Sequence, residues 1–589
     1  MLVNADGLRH REGEFRVVSL CVPEFVQHSI IWHRRNAELK RMTRPATEPQ
    51  AQSTSNVGSP SPGRPTAQRS ARSSFEVWAP PVLVALALVA RFLPAWRFFL
   101  NPDEALHNLL ASQTSLGMAY KAALTAAHPP LFILLLYYWR WLGQAEWVLR
   151  MPSVVAGTAC CWLVYRWLRL LRDRVTAFIG LLLFSFAPTL IWLSAEVRQY
   201  ALLLLFMTAA LYAAEVALAE YSPSRMILFS LSLYGALLTH YSALIFALVI
   251  GVYMLARLYP FGTNLRLLGI WAAGQVGGAA IAGYYLLTHV THLKDVGMIR
   301  GVSETYVRKS LYRPGDAHLA SFIALQTLRF FTYLFSHGVV GSLALVLFVA
   351  GLAFLLKGKA AGNGRVAPRK LALLLALPFL VECGTALAGI YPYGGTRHCI
   401  LLAPFAVAGV SIGLSALSPA RFWTKSSLIA ATLAVCNVFP SPPPMIRPRN
   451  QSRTLMAHAV AALRQSAAPG SLILADYQSG LLLGYYLCGH GIVQEFPPYV
   501  SFAKAGCGPY AVFTARPERW KFHAGEFPDQ LAELTANYGL APDTKIWLFN
   551  TGWITDSAPA LEKAECPSPR NFGENIVFCE LTVGVRHTP

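Results

Sequence analysis

Two adjacent acids, Asp103 and Glu104, follow the first long apolar segment of the chain, residues 78–99. Carboxylates at a membrane face are costly unless they bind a cation, a partner or a reacting group. A positioned carboxylate can also act as a general base and remove the proton from an attacking hydroxyl group. We therefore predict that Asp103 is the catalytic base of a membrane enzyme. Glu104 is expected to assist it or to hold a basic neighbour. The open alternative is that both acids cap the following helix, because acids favour helix N-termini.

Five further polar clusters interrupt the apolar sequence at the ends of predicted spans. They are His128-Pro129-Pro130, Arg150-Met-Pro-Ser153, Glu196-Val-Arg198-Gln-Tyr200, His240-Tyr241 and Tyr391-Pro-Tyr-Gly-Gly-Thr-Arg397-His398. Two alternatives remain open among the charged residues. Arg150 could pair with an acid or lie at a lipid headgroup, and Glu196 could simply neutralise Arg198.

The composition is that of a membrane protein. Of 589 residues, 54% are hydrophobic and only 14% are charged, whereas soluble proteins carry about 25% charged residues. The net charge of +20 does not require nucleic acid, because basic residues gather in the cytoplasmic loops of membrane proteins. We expect membrane lipids, and no nucleic acid, among the partners.

Apolar runs predict about eleven spanning helices, although several are close to or below the roughly 20 residues that a span needs. They lie near 78–99, 152–171, 175–194, 199–219, 225–239, 241–257, 265–287, 327–356, 371–390, 398–418 and 426–439. A shorter apolar piece, Leu131–Leu142, ends in aromatic residues and an arginine, which suits a helix lying in the headgroup zone. The fold class expected is a polytopic all-α membrane protein with a small α/β domain at its C-terminus.

Three regions are predicted along the chain. Residues 1–77 are expected to be a disordered, basic, cytoplasmic tail, because the stretch 43–74 is rich in Pro, Ser, Thr, Gln and Arg. Residues 78–439 form the membrane region, with an outer loop at 100–151. Residues 440–589 are expected to be an extracytoplasmic α/β domain, because strand and helix patterns alternate there. Its cysteines are Cys488, Cys507, Cys566 and Cys579, which allow two disulfides in any of three pairings.

The basic residues also predict the orientation. With the N-terminus in the cytoplasm, the basic turns between spans fall on the cytoplasmic side, as the positive-inside rule requires. These turns contain Arg169, Arg172, Arg174, Arg257, Arg266, Lys357, Lys359, Arg369, Lys370, Arg421 and Lys425. The acid pair and the polar clusters then share the outer face. The expected location is the cell's inner (plasma) membrane.

The order of these motifs resembles glycosyltransferase family 39 of the GT-C superfamily. The matching features are a span followed by Asp-Glu, then His-Pro-Pro-Leu, Arg-x-Pro-Ser, Glu-x-Arg-x-Tyr and a late Arg before a helix containing Pro. This group includes protein O-mannosyltransferases, the lipid A aminoarabinose transferase and many bacterial relatives. The resemblance covers roughly residues 78–420. The β-trefoil domain of the eukaryotic mannosyltransferases has no counterpart here, so the acceptor stays open.

The resemblance implies a chemistry. Such an enzyme moves a sugar from a polyprenyl-phosphate donor to a lipid, glycan or protein acceptor on the outer face. It implies Asp103 as the base of an inverting transfer, and it makes Arg198 and Arg397 candidates for the donor phosphate, whose charge needs basic partners. His128, Tyr200, His240 and Tyr241 are predicted to complete the substrate site. If the acceptor is already an anion, Asp103 would orient it rather than deprotonate it.

Two other functions remain possible from the sequence. A transporter or flippase for a lipid-linked sugar would carry ionisable residues or broken helices at mid-membrane. A membrane-anchored binding protein would keep its activity in residues 440–589 alone. No cofactor is certain. A divalent cation is possible, and the candidate ligands are His240, His289 and His292.

Overall fold

The computed structural model describes residues 67–259, 265–295, 303, 307–358, 366–417, 421–440, 453–489, 502–516, 527–551, 568–573 and 576–583. The chain forms two units, Met1–Arg69 and Ser70–Pro589, and the described residues lie almost entirely in the second. The predicted disorder of residues 1–66 lies outside the described residues. Residues 67–77, which we also expected to be disordered, are helical. The reason is that no Pro or Gly interrupts the chain between Ala67 and Ala79.

The described residues up to 440 are almost entirely helical. The α-helices before the C-terminal sheet are α1 (Ala67–Arg97), α2 (Pro102–Ala111), α3 (Leu116–Ala123), α4 (Leu131–Trp139), α5 (Glu146–Leu171), α6 (Arg174–Phe186), α7 (Pro188–Ser194), α8 (Tyr200–Glu220), α9 (Pro223–Leu237), α10 (Ala243–Leu258), α11 (Leu265–Tyr285), α12 (Thr291–Asp295), α13 (Leu319–Phe335), α14 (Gly338–Leu356), α15 (Pro368–Leu387), α16 (Ala403–Leu417), α17 (Phe422–Val438) and α18 (Arg453–Ser466). Short 3₁₀ turns occur at Arg140–Leu142, Arg308–Ser310 and Arg397–Leu402, and a π-turn at Leu286–Val290.

Within the described residues, 7 helices are long and apolar enough to cross a membrane, or 8 if one bent pair is a single span. This corrects the expected count of about eleven. Three more apolar segments, Leu131–Leu142, Ala243–Leu258 and Leu319–Phe335, are shorter than a membrane-crossing helix. The protein is a multi-pass membrane protein, and apolar composition alone overstated how many helices have spanning length.

The predicted span 327–356 is two helices. Ser336 adopts a left-handed conformation with φ of 47°, which ends α13. The His337 side chain then accepts a hydrogen bond from the backbone N–H of Val340 at 3.4 Å and caps α14. A polar Ser-His pair between two apolar runs is a helix boundary signal that the hydrophobic pattern hid.

The predicted span 175–194 is broken. Helices α6 and α7 meet at a bend of 58° between Phe186 and Pro188, where proline cannot donate a backbone hydrogen bond. The buried guanidinium of Arg91 in α1 donates to the carbonyl oxygens of Ser185 at 2.8 Å and Phe184 at 3.2 Å. The break is therefore satisfied from the neighbouring helix.

The C-terminal region carries a mixed sheet. After α18 come β1 (Leu472–Ala475), α19 (Tyr477–Tyr486), β2 (Phe502–Cys507), β3 (Tyr510–Ala515), α20 (Phe527–Tyr538), β4 (Lys545–Asn550), β5 (Arg570–Asn571) and β6 (Val577–Thr582). The strand order is β2-β3-β1-β4-β6-β5. Strand β1 is parallel to β3 and β4, and the outer pairs are antiparallel. The expected small α/β fold is confirmed.

A disulfide joins the end of α19 to the sheet. Cys488 is bonded to Cys507 of β2, and Cys579 is also disulfide-bonded. The sequence left three pairings open, and this bond selects one of them for Cys488. Disulfides persist in oxidising compartments.

Candidate active site

Helix α2 begins at the acid pair. The side chain of Asn101 accepts a hydrogen bond from the backbone N–H of Glu104 at 2.9 Å, and Glu104 accepts one from the backbone N–H of Asn101 at 2.8 Å. This is a capping box, and Pro102 occupies the first helical position. The local sequence Asn-Pro-Asp-Glu thus fixes where the helix starts, and it sets both acids in the first turn.

Glu104 is fully engaged. Its side chain is 1% exposed, and Arg150 donates to both of its oxygens at 2.7 Å. The backbone N–H groups of Asn101 and Val197 donate to it as well, at 2.8 and 2.7 Å. These four hydrogen bonds leave little capacity for a substrate. The geometry therefore favours the alternative that Glu104 holds a basic neighbour, and it places Arg150 with an acid.

Asp103 has a different environment. One oxygen, Oδ2, contacts Arg397 at 2.8 Å and Arg198 at 3.3 Å, and the side chain is 24% exposed. Desolvation within the site would raise the pKa of Asp103, but Arg198 and Arg397 outweigh it and hold the pKa well below its usual range. Asp103 is therefore ionised and reaches the surface of the site beside two cations.

Arg198 is held in the turn between α7 and α8. Its carbonyl oxygen accepts a hydrogen bond from the Ser153 hydroxyl at 2.9 Å, and its guanidinium lies 5.6 Å from the centre of the Tyr200 ring. Glu196 forms no ion pair with Arg198 within the described residues. Arg198 instead forms its ion pair with Asp103, although its positive charge also acts on Glu196.

Arg397 opens the 3₁₀ turn before α16. The two glycines ahead of it allow this turn to lie against α13. Gly394 has a positive φ of 128°, and a Cβ on Gly395 would come within 2.7 Å of the Arg329 carbonyl oxygen. The Gly-Gly pair is therefore the local reason that Arg397 can reach Asp103.

Four histidines form a row beside these charges. The ring centres of His107 and His128 are 6.0 Å apart, those of His128 and His240 are 5.3 Å apart, and those of His240 and His398 are 6.3 Å apart. His128 and His240 were predicted from the sequence as site residues. His398 was noted only as the neighbour of Arg397, and His107 was missed. His107 lies four residues after Asp103, hence on the same helix face, and this spacing could have revealed it.

Three histidines of this row, all outside the predicted spans, are uncharged at neutral pH. Desolvation and the charge of Arg198 lower the pKa of His107 to about 3. Desolvation, Arg198 and Arg397 lower the pKa of His240 to about 3. The pKa of His128 is also well below its ordinary value, through desolvation and neighbouring positive charge. His107 donates from Nδ1 to the Asp103 carbonyl oxygen at 2.7 Å, so its Nε2 is a hydrogen-bond acceptor.

Glu196 was not predicted as a site residue. Desolvation and the negative charge of Glu104 raise its pKa to about 7. Its Oε2 atom is buried and accepts no hydrogen bond within the described part of the chain. A third carboxyl group, partly protonated at neutral pH, thus lies next to the acid pair.

Tyr241 does not join the row. Its hydroxyl group contacts Nδ1 of His289 at 2.6 Å, away from the bonds that hold Asp103. No group of three His, Cys, Asp or Glu side chains with a metal-binding arrangement occurs among the described residues. The proposed metal ligands His240 and His289 instead bond to Ser242 and Tyr241, respectively.

Comparison with known proteins agrees with this fold. Residues 127–276 match the family model described as dolichyl-phosphate-mannose-protein mannosyltransferase. No curated protein sequence matches the chain. The crystal structure of apo ArnT from Cupriavidus metallidurans is 14% identical, with a TM-score of 0.52, over 86% of this chain and 98% of that one.

Two further structures are similar at lower scores. ArnT from the same organism bound to undecaprenyl phosphate is 13% identical, with a TM-score of 0.48, over 85% of this chain and 97% of that one. The Archaeoglobus fulgidus oligosaccharyltransferase tethered to an acceptor peptide is 11% identical, with a TM-score of 0.40, over 70% and 64%.

The fold is like that of ArnT, and residues 127–276 are similar to the mannosyltransferase family. The resemblance inferred from the sequence is thus confirmed for the fold and for this segment. The chain is similar in fold to glycosyltransferases of the GT-C superfamily.

Proposed function

We propose that this protein is an inverting glycosyltransferase that moves a sugar from a polyprenyl-phosphate donor to an acceptor hydroxyl group on the extracytoplasmic face. The observation that carries the proposal is the contact of the partly exposed Asp103 carboxylate with Arg198 and Arg397. A base and two phosphate-binding cations at one point are what this reaction requires.

The reaction is a single displacement. Asp103 takes the proton of the acceptor hydroxyl group as its oxygen attacks the anomeric carbon. The bond from that carbon to the donor phosphate oxygen breaks, and the electron pair stays on the phosphate. Arg198 and Arg397 stabilise the charge that grows there. Attack opposite to the leaving group inverts the anomeric centre.

The same arginines serve Asp103 before the donor arrives. A phosphate anion competes with the carboxylate for the guanidinium groups, so donor binding loosens their hold on Asp103. Loss of that neighbouring positive charge raises the pKa of Asp103. The base therefore becomes stronger when the donor is present.

The row of neutral histidines supports a sugar subsite. Uncharged imidazoles donate and accept hydrogen bonds, as sugar hydroxyl groups require, and they add no charge beside the two arginines. His128, His240 and Tyr200 are the predicted members that lie at this row. Tyr241 would contribute only through His289 or from the edge of the site.

The lipid-linked donor is supported by the family description, which names a dolichyl-phosphate sugar. The orientation is supported by the basic turns and by the Cys488–Cys507 disulfide, which suits the outside of a cell. We place the protein in the inner membrane, with its N-terminus in the cytoplasm and the regions 100–151 and 440–589 outside. The acceptor is a lipid, a glycan or a protein.

A transporter would share one feature with this structure, the broken helix at Pro188. However, the carbonyl groups at this break already accept hydrogen bonds from Arg91. The backbone groups at the break thus have hydrogen-bond partners within the protein. An enzyme is therefore a better interpretation of this structure than a transporter.

The purified full-length protein tests the proposal. It is incubated with a panel of undecaprenyl-phosphate hexoses and pentoses and mixed acceptor lipids and peptides, and release of undecaprenyl phosphate is measured. Asp103→Asn should lower the turnover by about 10²–10⁴-fold. Asp173→Asn is the matched control, because Asp173 caps α6 away from the acid pair. Turnover of no donor, or near-normal turnover by Asp103→Asn, would overturn the proposal.

A further inference from the structure

The C-terminal region packs directly on the helix that carries Asp103. One buried hydrophobic cluster contains Phe99, Leu100 and Ala105 at the start of α2, and it also contains Leu482 and Leu483 of α19. The two regions that the sequence analysis separated therefore share a core, and α19 lies against α2.

Polar contacts at this junction reach the residue before the helix cap. The backbone N–H of Leu100 donates to the Tyr486 hydroxyl oxygen at 2.7 Å. The same hydroxyl group donates to Oε1 of Glu146 at 3.1 Å. Oε2 of Glu146 forms an ion pair with Arg453 of α18 at 3.3 Å. Tyr486 thus uses its hydroxyl group both as acceptor and as donor.

Leu100 is a sensitive point because Asn101, the next residue, is the N-cap of α2. On the opposite side, Arg150 binds the carbonyl oxygens of Phe98 at 2.6 Å and Phe99 at 2.8 Å. Arg150 and Tyr486 together hold the backbone just ahead of the helix. Asp103 follows within the first turn, so a shift at Leu100 moves its carboxylate.

Tyr486 is itself held firmly. Two residues later, Cys488 is bonded to Cys507 of the sheet, and Arg464 of α18 donates to the carbonyl oxygens of Tyr486 and Leu487 at 3.2 and 3.1 Å. The end of α19 is thus fixed to the C-terminal region before it contacts α2.

We propose that the C-terminal α/β region is a brace for the catalytic helix and that Tyr486 is its positioning residue, which sets the place of Asp103 through Leu100 and the Asn101 cap. The inference rests on the proposed function for the role of Asp103. The C-terminal region then acts in the transferase reaction and is not an independent binding module.

The chain offers a matched control one residue away. The hydroxyl group of Tyr485 donates to the carbonyl oxygen of Gln144, so it belongs to the same junction. Within the described residues, this hydroxyl group makes no hydrogen bond to Leu100 or to α2. Tyr485→Phe removes one hydrogen bond of the junction. Tyr486→Phe removes two, the one to Glu146 and the one to Leu100 just ahead of α2.

The first measurement is hydrogen exchange of the full-length protein in detergent. In Tyr486→Phe the amide of Leu100 loses its acceptor, so peptides covering 98–106 should exchange about tenfold faster than in the wild type. In Tyr485→Phe these peptides should be unchanged. Equal exchange in both variants would overturn the brace, and it would do so without any knowledge of the substrate.

The second measurement is kinetic, with the undecaprenyl-phosphate sugar that the panel identifies. Tyr486→Phe should lower kcat about 10- to 100-fold, because small misplacements of a reacting group are costly. KM for the donor should change less than about twofold, since Arg198 and Arg397 lie on other elements. Tyr485→Phe should retain kcat within about twofold.

Three results separate the possibilities. Equal losses of kcat in the two variants would mean that docking as such matters and that Tyr486 positions nothing. An unchanged kcat in Tyr486→Phe alongside faster exchange would also overturn the inference. If the wild type turns over no donor, the proposed function fails, while the exchange comparison still decides whether Tyr486 holds α2.

Discussion

Asp103 and Glu104 are neighbours in one helical turn, yet their surroundings are opposite. Glu104 is 1% exposed, and both of its oxygens are saturated by Arg150 and two backbone N–H groups. Asp103 is 24% exposed, and one of its oxygens meets two arginines. The donors around Glu104 are buried and held in place, whereas the arginines at Asp103 can also bind a phosphate. The comparison indicates that exchangeable partners, and not the residue type, distinguish the acid proposed as the base from the structural one.

The largest effect on stability should come from replacing Glu104, the acid with the structural role. Glu104→Gln leaves the buried Arg150 charge without its carboxylate, which costs about 3–5 kcal/mol of folding free energy. Asp103→Asn should cost about 1 kcal/mol, because its site is open to solvent. Thermal unfolding in detergent compares the two. Equal losses of stability would contradict the division between the acids, and Arg150→Met in the Glu104→Gln background should recover part of the loss.

The role of the two arginines beside Asp103 is tested by ligand binding. Arg198→Gln and Arg397→Gln should each weaken the binding of undecaprenyl phosphate about 10- to 100-fold, the value of a charged hydrogen bond. Arg166→Gln serves as the control, because this arginine lies on the surface of α5 and bonds to Tyr212. Unchanged affinity in both site variants would mean that the arginines serve only Asp103.

Glu196 extends the comparison to a third acid. Its pKa is raised to about 7 by desolvation and by Glu104, whereas an unfolded glutamate titrates near 4.3. The folded state therefore binds the proton more tightly. The resulting stability is fully present below about pH 4.3 and is lost as the pH rises to about 7.

Over that range the loss should be about 2 kcal/mol, allowing for partial exposure. Glu196→Gln should remove it, so the difference in melting temperature between variant and wild type should grow from pH 5 to pH 8. The subtraction cancels the histidines, which contribute equally to both proteins. A constant difference across this range would contradict the raised pKa.

The smallest effect is a shift in the pH profile. In the free enzyme Arg198 and Arg397 keep the pKa of Asp103 low, so the acid limb of kcat/KM should lie at low pH. With the donor phosphate on the arginines, the pKa rises, and the acid limb of kcat should lie about one pH unit higher. If the acid limbs of kcat/KM and kcat lie at the same pH, the arginines do not leave Asp103 during the reaction.

The sequence predicted the acid pair, Arg198 and Arg397 because ionisable residues stand out at the ends of apolar runs. It could not distinguish the partners of each acid, since Arg150 and Arg198 are separated from the pair by dozens of residues and approach it only in the folded bundle. His398 was passed over beside Arg397, and Glu196 was assigned to its sequence neighbour. Local pairing rules failed there because the site is built from five separate parts of the chain.

The helix count failed for a related reason. Apolar composition locates hydrophobic segments, but it does not show where the backbone conformation ends a helix. Ser336 in its left-handed conformation and Pro188 at the bend each concern one residue. One residue changes the mean hydropathy of an apolar run of twenty residues very little. The α/β class of the C-terminal region was predicted correctly, because strand and helix patterns alternate there in a polar background.

The buried guanidinium of Arg91 has a consequence for biogenesis. It belongs to α1, and its acceptor at Ser185 is 94 residues further along the chain. Until that acceptor arrives, a cationic side chain in the bilayer costs up to about 3 kcal/mol. Helix α1 is thus held less firmly in the membrane until the bent pair of helices is inserted beside it. Insertion of this protein is therefore a cooperative step between early and later segments.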